Sequence, residues 1–204
     1  MRRKLLAVDI DNVLADFNEA FVDYANKNWN SNITVDDITE DWAKLFGVDE
    51  VEWQRRATEL FSDKSQVYRN LPLIPGVEKE MAKLGQHFDI IAITSRSRGT
   101  ESATRAWLDA NLPGMISEVH FSGIYDRFED GIDSCKQTKG EICKSLNIDF
   151  FIDDEPKHCV ASADHDISTI IFGEYPTNRD FNDPRIPRAK TWQEAANILL
   201  KEAE

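Results

Sequence analysis

The chain has 204 residues, enough for one sizeable hydrophobic core, or for a core carrying a small insertion. Its composition, 41% hydrophobic and 30% charged, is that of an ordinary globular protein. A net charge of −13 argues against DNA or RNA polymers and anionic membranes as partners, since both need basic faces, but leaves room for a small phosphorylated ligand, because a bound cation and a few basic groups reverse the local field.

In chain order, the first element is the apolar run Leu5-Leu6-Ala7-Val8, continued by Asp9-Ile10-Asp11-Asn12-Val13-Leu14-Ala15-Asp16. The run predicts a buried strand, and the two-residue spacing lets Asp9 and Asp11 project into one site at its end. Phe17, Ala20, Phe21, Tyr24 and Ala25 follow helical spacing. Thr34 with Asp37 three residues on predicts a helix start, and Gly47 ends a short apolar face of Trp42, Leu45 and Phe46. Trp53, Ala57, Leu60 and Phe61 form a further stripe, so residues 15–70 read as helical and rich in aromatics.

Beyond them, helices alternate with apolar strands. Helices are expected over Val77–Gly85, Thr100–Asn111, Thr138–Leu146 and Trp192–Ala203; strands over Phe88–Thr94, Glu118–Ser122, Asp149–Asp153 and Ser168–Phe172. Five apolar strands separated by helices imply an α/β fold with a Rossmann-like parallel sheet covered on both faces. Phe181–Arg188 reads as an extended surface segment, and Asp164-His165-Asp166, which precedes its strand, as a solvated turn. Cys135, Cys143 and Cys159 make an odd set without CxxC spacing, so neither a disulfide framework nor a structural zinc site is expected. No apolar run is long enough to span a membrane, and acids follow Met1-Arg2-Arg3-Lys4 too closely for a signal sequence, which makes the cytoplasm the expected location.

The polar groups after the strands share one chemistry. Asp9 and Asp11 suit a divalent cation and a phosphoryl group, one carboxylate attacking phosphorus while its neighbour moves protons. Thr94-Ser95-Arg96 offers a hydroxyl and amides for phosphate oxygens, and Asp153-Asp154 offers oxygen ligands for a hard cation. Lys139, at the start of a helix, supplies positive charge, with Lys136 as its rival. Taken singly, Thr94-Ser95 also reads as a helix cap, Lys139 as a surface lysine and Asp153-Asp154 as a turn before Pro156. Their order along the chain favours the catalytic reading.

That ordered set resembles the four motifs of the haloacid dehalogenase (HAD) superfamily of phosphatases. Asp9-Ile10-Asp11-Asn12-Val13-Leu14-Ala15-Asp16 is similar to the opening motif of 5′(3′)-deoxyribonucleotidases, with Asn12 in place of their usual glycine, and Ile152-Asp153-Asp154-Glu155-Pro156 is similar to their last motif. The resemblance implies a HAD core over residues 1–14 and 71–204 and a helical cap over 15–70. It implies Asp9 as nucleophile and Asp11 as acid and base. Thr94, the Ser95 amide and Lys139 would hold the phosphoryl oxygens. Mg2+ would be held by the Asp9 carboxylate, the Asp11 backbone carbonyl and the Asp154 carboxylate, with Asp153 in support. Arg96 is a further candidate for substrate contact. The substrate implied is a nucleoside monophosphate, deoxy forms included. Rival readings are a phosphatase of another small phosphomonoester, such as a sugar phosphate, and a non-catalytic protein that binds or senses a phosphorylated ligand. The cap aromatics Phe21, Tyr24, Trp42, Trp53 and Phe61 read first as core and second as a platform for a base. The oligomeric state is not legible.

Overall fold

The computed structural model describes residues 2–39, 41–62, 66–124, 126 and 136–203. Six parallel strands form one sheet: Lys4–Val8 (β1), Phe88–Thr94 (β2), Val119–Phe121 (β3), Phe150–Asp153 (β4), Ser168–Phe172 (β5) and Arg188–Ala189 (β6). Their order is β3-β2-β1-β4-β5-β6, a doubly wound arrangement. Alternate residues of each strand enter opposite layers. Leu6, Val8, Ile90, Ala92, Phe150 and Ile152 pack with Met81, Leu84, Trp107 and Leu199 of the helices Val77–Leu84 (α4), Glu101–Asn111 (α5) and Trp192–Ala203 (α8). Ala7, Ile91, Ile93 and Phe151 pack on the other face with Ile142 and Cys143 of Lys139–Ser145 (α6). Burial on both faces is why the strands read as continuous apolar runs.

The expected α/β fold and its five strands are present, with three differences. The first strand stops at Val8, so Asp9 follows it and Asp11 lies in a tight turn. The turn forms because Leu14 and Ala15 both donate backbone N–H bonds to the Ile10 carbonyl and Asn12 takes a left-handed φ of 57°. Asn is among the residues that tolerate that region, so it stands in for glycine. A sixth strand begins at Arg188, where the sequence suggested extended surface chain; two residues are too few to leave a pattern. Pro156–Ala163 (α7) is a helix the sequence did not reveal, started by Pro156 in its first turn and packed through Cys159 against Ile171. Asp164–Asp166 is the expected turn, and Cys135 lies outside the described residues.

Between β1 and α4 the chain forms Phe17–Trp29 (α1), Trp42–Phe46 (α2), Glu50–Leu60 (α3) and a 3-10 turn at Val67–Arg69. The capping box of Thr34 and Asp37 and the left-handed Gly47 end of α2 occur where expected, the first opening a 3-10 turn. The chain leaves the sheet and returns to it side by side: Asp16 N–H donates to the Pro72 carbonyl and Ile74 N–H to the Leu14 carbonyl. Within the segment the aromatics pack mainly on one another, Phe21 against Trp42 at 4.4 Å and Trp42 stacked on Trp53 at 5.6 Å. Phe21 is fully buried and therefore core. No helix among the described residues is long and apolar enough to cross a membrane.

Candidate active site

The strand order reverses at β1, with β2 on one side and β4 on the other, and open α/β sheets bind ligands at that switch, beyond the carboxyl ends of the strands. Asp9, Thr94, Asp153 and Asp154 all stand there. Asp9 follows β1, its N–H bonded to the Ile152 carbonyl at 2.9 Å; Thr94 ends β2; Asp153 ends β4 and Asp154 follows it. Lys139 arrives from the opposite layer as the first residue of α6, whose start is fixed by a capping box between Thr138 and Glu141.

The centre is a buried charge cluster. Lys139 Nζ donates to Asp153 Oδ2 at 2.7 Å and lies 2.8 Å from Asp9 Oδ1; Lys139 and Asp153 are sealed from water, and Asp9 is buried with a small part of its side chain exposed. Oxygens of Asp9, Asp153 and Asp154 come within 4.8 Å of one another. Three carboxylates against one ammonium leave an excess of buried negative charge. Burial, together with the Asp153 charge, pushes the Asp9 carboxyl up to about 8 despite Lys139. Burial and then the Asp153 and Asp9 charges drive Asp154 well above its ordinary value. Burial works against the ammonium too, but Asp153 and Asp9 outweigh it and hold Lys139 charged.

The site's own chemistry thus fits a hard divalent cation, and the hydrogen bonds sort its ligands. Asp153 is committed, Oδ2 to Lys139 and Oδ1 to the Glu155 N–H at 2.8 Å. Asp154 accepts only at Oδ2, from Asn12 Nδ2 at 3.1 Å, among the described residues. Asp9 and Asp154 are therefore the carboxylates with capacity for a metal, and Asp153 orients the lysine.

Asp11 stands apart from this trio. Its two oxygens accept from Arg96, Nη2 to Oδ1 at 2.7 Å and Nε to Oδ2 at 2.8 Å. The sequence offered Arg96 to substrate, but the structure buries its guanidinium, which also donates to Thr104 Oγ1 at 3.1 Å and lies 4.1 Å from the Tyr68 ring centre. Thr94 Oγ1 accepts the Arg96 N–H at 3.1 Å, while Ser95 Oγ is 3.3 Å from His158 Nε2. Lys136 is exposed, and Lys139 is the lysine of the cluster.

Several residues that hold the site carried no signal in the sequence. Tyr175 donates its hydroxyl to the Asn12 carbonyl and Trp192 its Nε1 to the Val13 carbonyl, each at 2.7 Å, fixing the turn after β1 from the far end of the chain. Asn178 Nδ2 donates to the carbonyls of Asp154 and Phe172. His158 is buried on α7, where burial and the Lys139 charge depress its imidazole to about 3, so it is neutral.

The profile of a family described as 5′ nucleotidase, deoxy (pyrimidine), cytosolic type C protein matches residues 3–124, which contain Asp9, Asp11, Thr94 and Arg96. The chain belongs to this family. It is accordingly a phosphatase-type hydrolase of the nucleotidase family. A candidate nucleotidase of Halalkalibacterium halodurans is 24% identical over 95% of the chain and 91% of its own length. A haloacid dehalogenase-like hydrolase from Streptococcus pneumoniae shares the fold with a TM-score of 0.67 at 10% identity, over 99% of each chain. A candidate HAD-hydrolase of Bacillus subtilis, solved with magnesium bound, aligns with a TM-score of 0.63 at 16% identity, over 98% of this chain and 99% of that one. These two likenesses confirm the HAD fold of this nucleotidase-family chain.

Proposed function

We propose that this nucleotidase-family enzyme is a Mg2+-dependent phosphomonoesterase that works through an aspartyl-phosphate and acts on nucleoside monophosphates, deoxy forms included. The observation that carries this reading is the convergence of Asp9, Asp153 and Asp154 with Lys139 at the carboxyl ends of β1 and β4. An Asp9 oxygen attacks phosphorus opposite the ester oxygen. As the Asp9–phosphorus bond forms, the ester bond breaks, and Asp11 gives its proton to the departing oxygen. Water then attacks phosphorus and yields its proton to Asp11; the Asp9–phosphorus bond breaks and inorganic phosphate leaves. Thr94, the Ser95 amide and Lys139 hold the phosphoryl oxygens while charge develops on them.

Asp9, Asp154 and the Asp11 carbonyl would hold Mg2+, which when bound neutralises the acidic cluster and stabilises charge on the phosphoryl oxygens. Residues 15–70 act as the cap and residues 1–14 with 71–204 as the core. Support comes from the paired leaving and returning strands, where Ala15 bridges Leu73. The nucleotide substrate and a cytoplasmic setting rest on the family's description and on the Val13-Leu14-Ala15-Asp16 extension.

The test is a panel of nucleoside monophosphates and sugar phosphates, with and without EDTA. Turnover is expected to be highest in kcat/KM on nucleotides, to stop with EDTA and to return with Mg2+. Asp9→Asn is expected to abolish it without unfolding the protein. Near-normal turnover in Asp9→Asn would overturn the covalent mechanism, and a sugar phosphate outrunning every nucleotide would overturn the substrate.

A further inference from the structure

Outside the central cluster, Arg96 is a buried and closely held cation. Its side chain is 1% exposed and is held on three sides: a two-pronged bond to Asp11, a bond to Thr104 on α5, and the Tyr68 ring. Asp11, by contrast, is 23% exposed. A carboxyl group at a partly open position rotates freely unless its plane is fixed, and a planar guanidinium bonded to both oxygens fixes it. Each carboxyl oxygen has two lone-pair sites and the fork occupies one of each, so an oxygen can still face a leaving group while the fork is intact. Nothing in the cluster of Lys139, Asp9, Asp153 and Asp154 orients Asp11 in this way.

We propose that Arg96 is a positioning residue for Asp11, setting the carboxyl plane from which the proton reaches the leaving oxygen, and that Tyr68 ties this setting to the end of the 15–70 segment. The proposal rests on the reading of Asp11 as the proton donor. Arg96 transfers no proton itself and acts only through the Asp11 oxygens that it holds. Its guanidinium sits on the α5 side of Asp11, with Thr104 and Tyr68 behind it. Tyr68 belongs to the 3-10 turn through which the segment rejoins the core, so displacement of that turn reaches the acid through two contacts.

The experiment measures kcat/KM, which covers steps through departure of the leaving group, for a series from p-nitrophenyl phosphate through phenyl phosphate to a nucleoside monophosphate. Wild type, Arg96→Met, Arg96→Lys, Asp11→Asn and the double variant Arg96→Met/Asp11→Asn are compared. General-acid help is worth about 10²- to 10⁴-fold, and it matters most for the poorest leaving group. Arg96→Met is expected to lose about 100-fold on the nucleotide and under about 5-fold on p-nitrophenyl phosphate, with phenyl phosphate between. In the Asp11→Asn background the same substitution is expected to cost nothing further on the nucleotide, because its effect runs through Asp11. Arg96→Lys, which keeps the charge without the fork, is expected to follow Arg96→Met.

A loss of equal size across the series, or full additivity in the double variant, would show a merely structural role and overturn the proposal. So would a loss that appears in nucleotide KM with kcat unchanged, which would make Arg96 a substrate contact. Asp11→Asn with wild-type activity on the nucleotide would instead remove the proton-donor reading itself, and the proposal with it. The circular dichroism melt of each variant identifies any that has unfolded, and Arg96→Lys, which retains the charge and most of the volume, keeps the comparison available if Arg96→Met does not fold.

Discussion

Lys139 Nζ donates to Asp153 Oδ2 across 2.7 Å, joining the first residue of α6 to the last residue of β4 with both side chains sealed from water. The pair explains how a lysine can be kept so deep in the protein. Burial penalises each charge; for Lys139 the attraction of Asp153 and Asp9 outweighs it, whereas burial still leaves the Asp153 carboxyl above its ordinary value despite Lys139 and the bond from the Glu155 N–H. Asp153 thus holds the ammonium that lies 2.8 Å from Asp9, and in the proposed reaction it would act at one remove.

Lys139→Met keeps the stem volume and removes the charge, leaving three buried carboxyl groups without a cation. Breaking a buried pair in this way costs about 3–5 kcal/mol. Urea unfolding in EDTA is expected to show a loss of about that size, and part of it should return when Mg2+ is added, because the metal replaces the missing positive charge. Unchanged stability would mean that the cluster does not depend on Lys139.

Asp153 and Asp154 are adjacent in sequence and differ in what holds them, so their alanine variants should fail differently. Asp154→Ala is expected to raise the Mg2+ concentration needed for half-maximal activity by at least about tenfold, with a small change in metal-free stability. Asp153→Ala is expected to do the reverse, lowering metal-free stability by releasing Lys139. Mg2+ titrations of activity, paired with melts in EDTA, separate the two. The opposite pattern would exchange their assignments.

The sequence displayed most of this site because three strands carry an apolar run that ends at a candidate polar residue: Val8 before Asp9, Ile93 before Thr94, Ile152 before Asp153. Strand order was enough to place these groups together. The Asp11–Arg96 fork was not legible, since its partners lie 85 residues apart and a basic residue after a strand looks like surface. Tyr175, Asn178 and Trp192 hold backbone carbonyls of the site, and bonds of that kind impose no residue pattern. The helix α7 escaped notice because its eight residues are mainly small or polar and follow the acidic motif directly.

His158 gives a pH dependence with a defined sign. Its pKa is depressed to about 3 in the folded protein, against an ordinary value of 6.5, because burial and Lys139 disfavour the charged ring. The unfolded chain therefore binds the extra proton between those values. The resulting stability is fully present above pH 6.5 and is lost as pH falls toward 3, by at most about 1.4 kcal/mol per pH unit. Asp9 and Asp154, with raised pKa values, push the other way, so the measurement is the difference between wild type and His158→Gln. In EDTA, wild-type stability is expected to fall relative to the variant as pH drops from 6.5 to 4.5. Parallel curves would show that His158 is not held neutral by the fold.

Gly140 follows Lys139 on α6, and it allows α6 to lie close to α7. A Cβ built at Gly140 would stand 2.5 Å from the Ala161 carbonyl oxygen and 2.7 Å from its carbon. Both are backbone atoms, which cannot swing aside as a side chain would, so Gly140→Ala must move one helix relative to the other. Overpacking of this kind costs about 1–3 kcal/mol, more than the roughly 1 kcal/mol that alanine gains over glycine inside a helix. A net destabilisation of up to about 2 kcal/mol in urea is expected. Because the displaced turn carries Lys139, kcat should fall as well, whereas a distant destabilising substitution would leave the kcat of the folded fraction intact. If Gly140→Ala were instead more stable than wild type, with unchanged kcat, the close approach of α6 and α7 would not be what sets the position of Lys139.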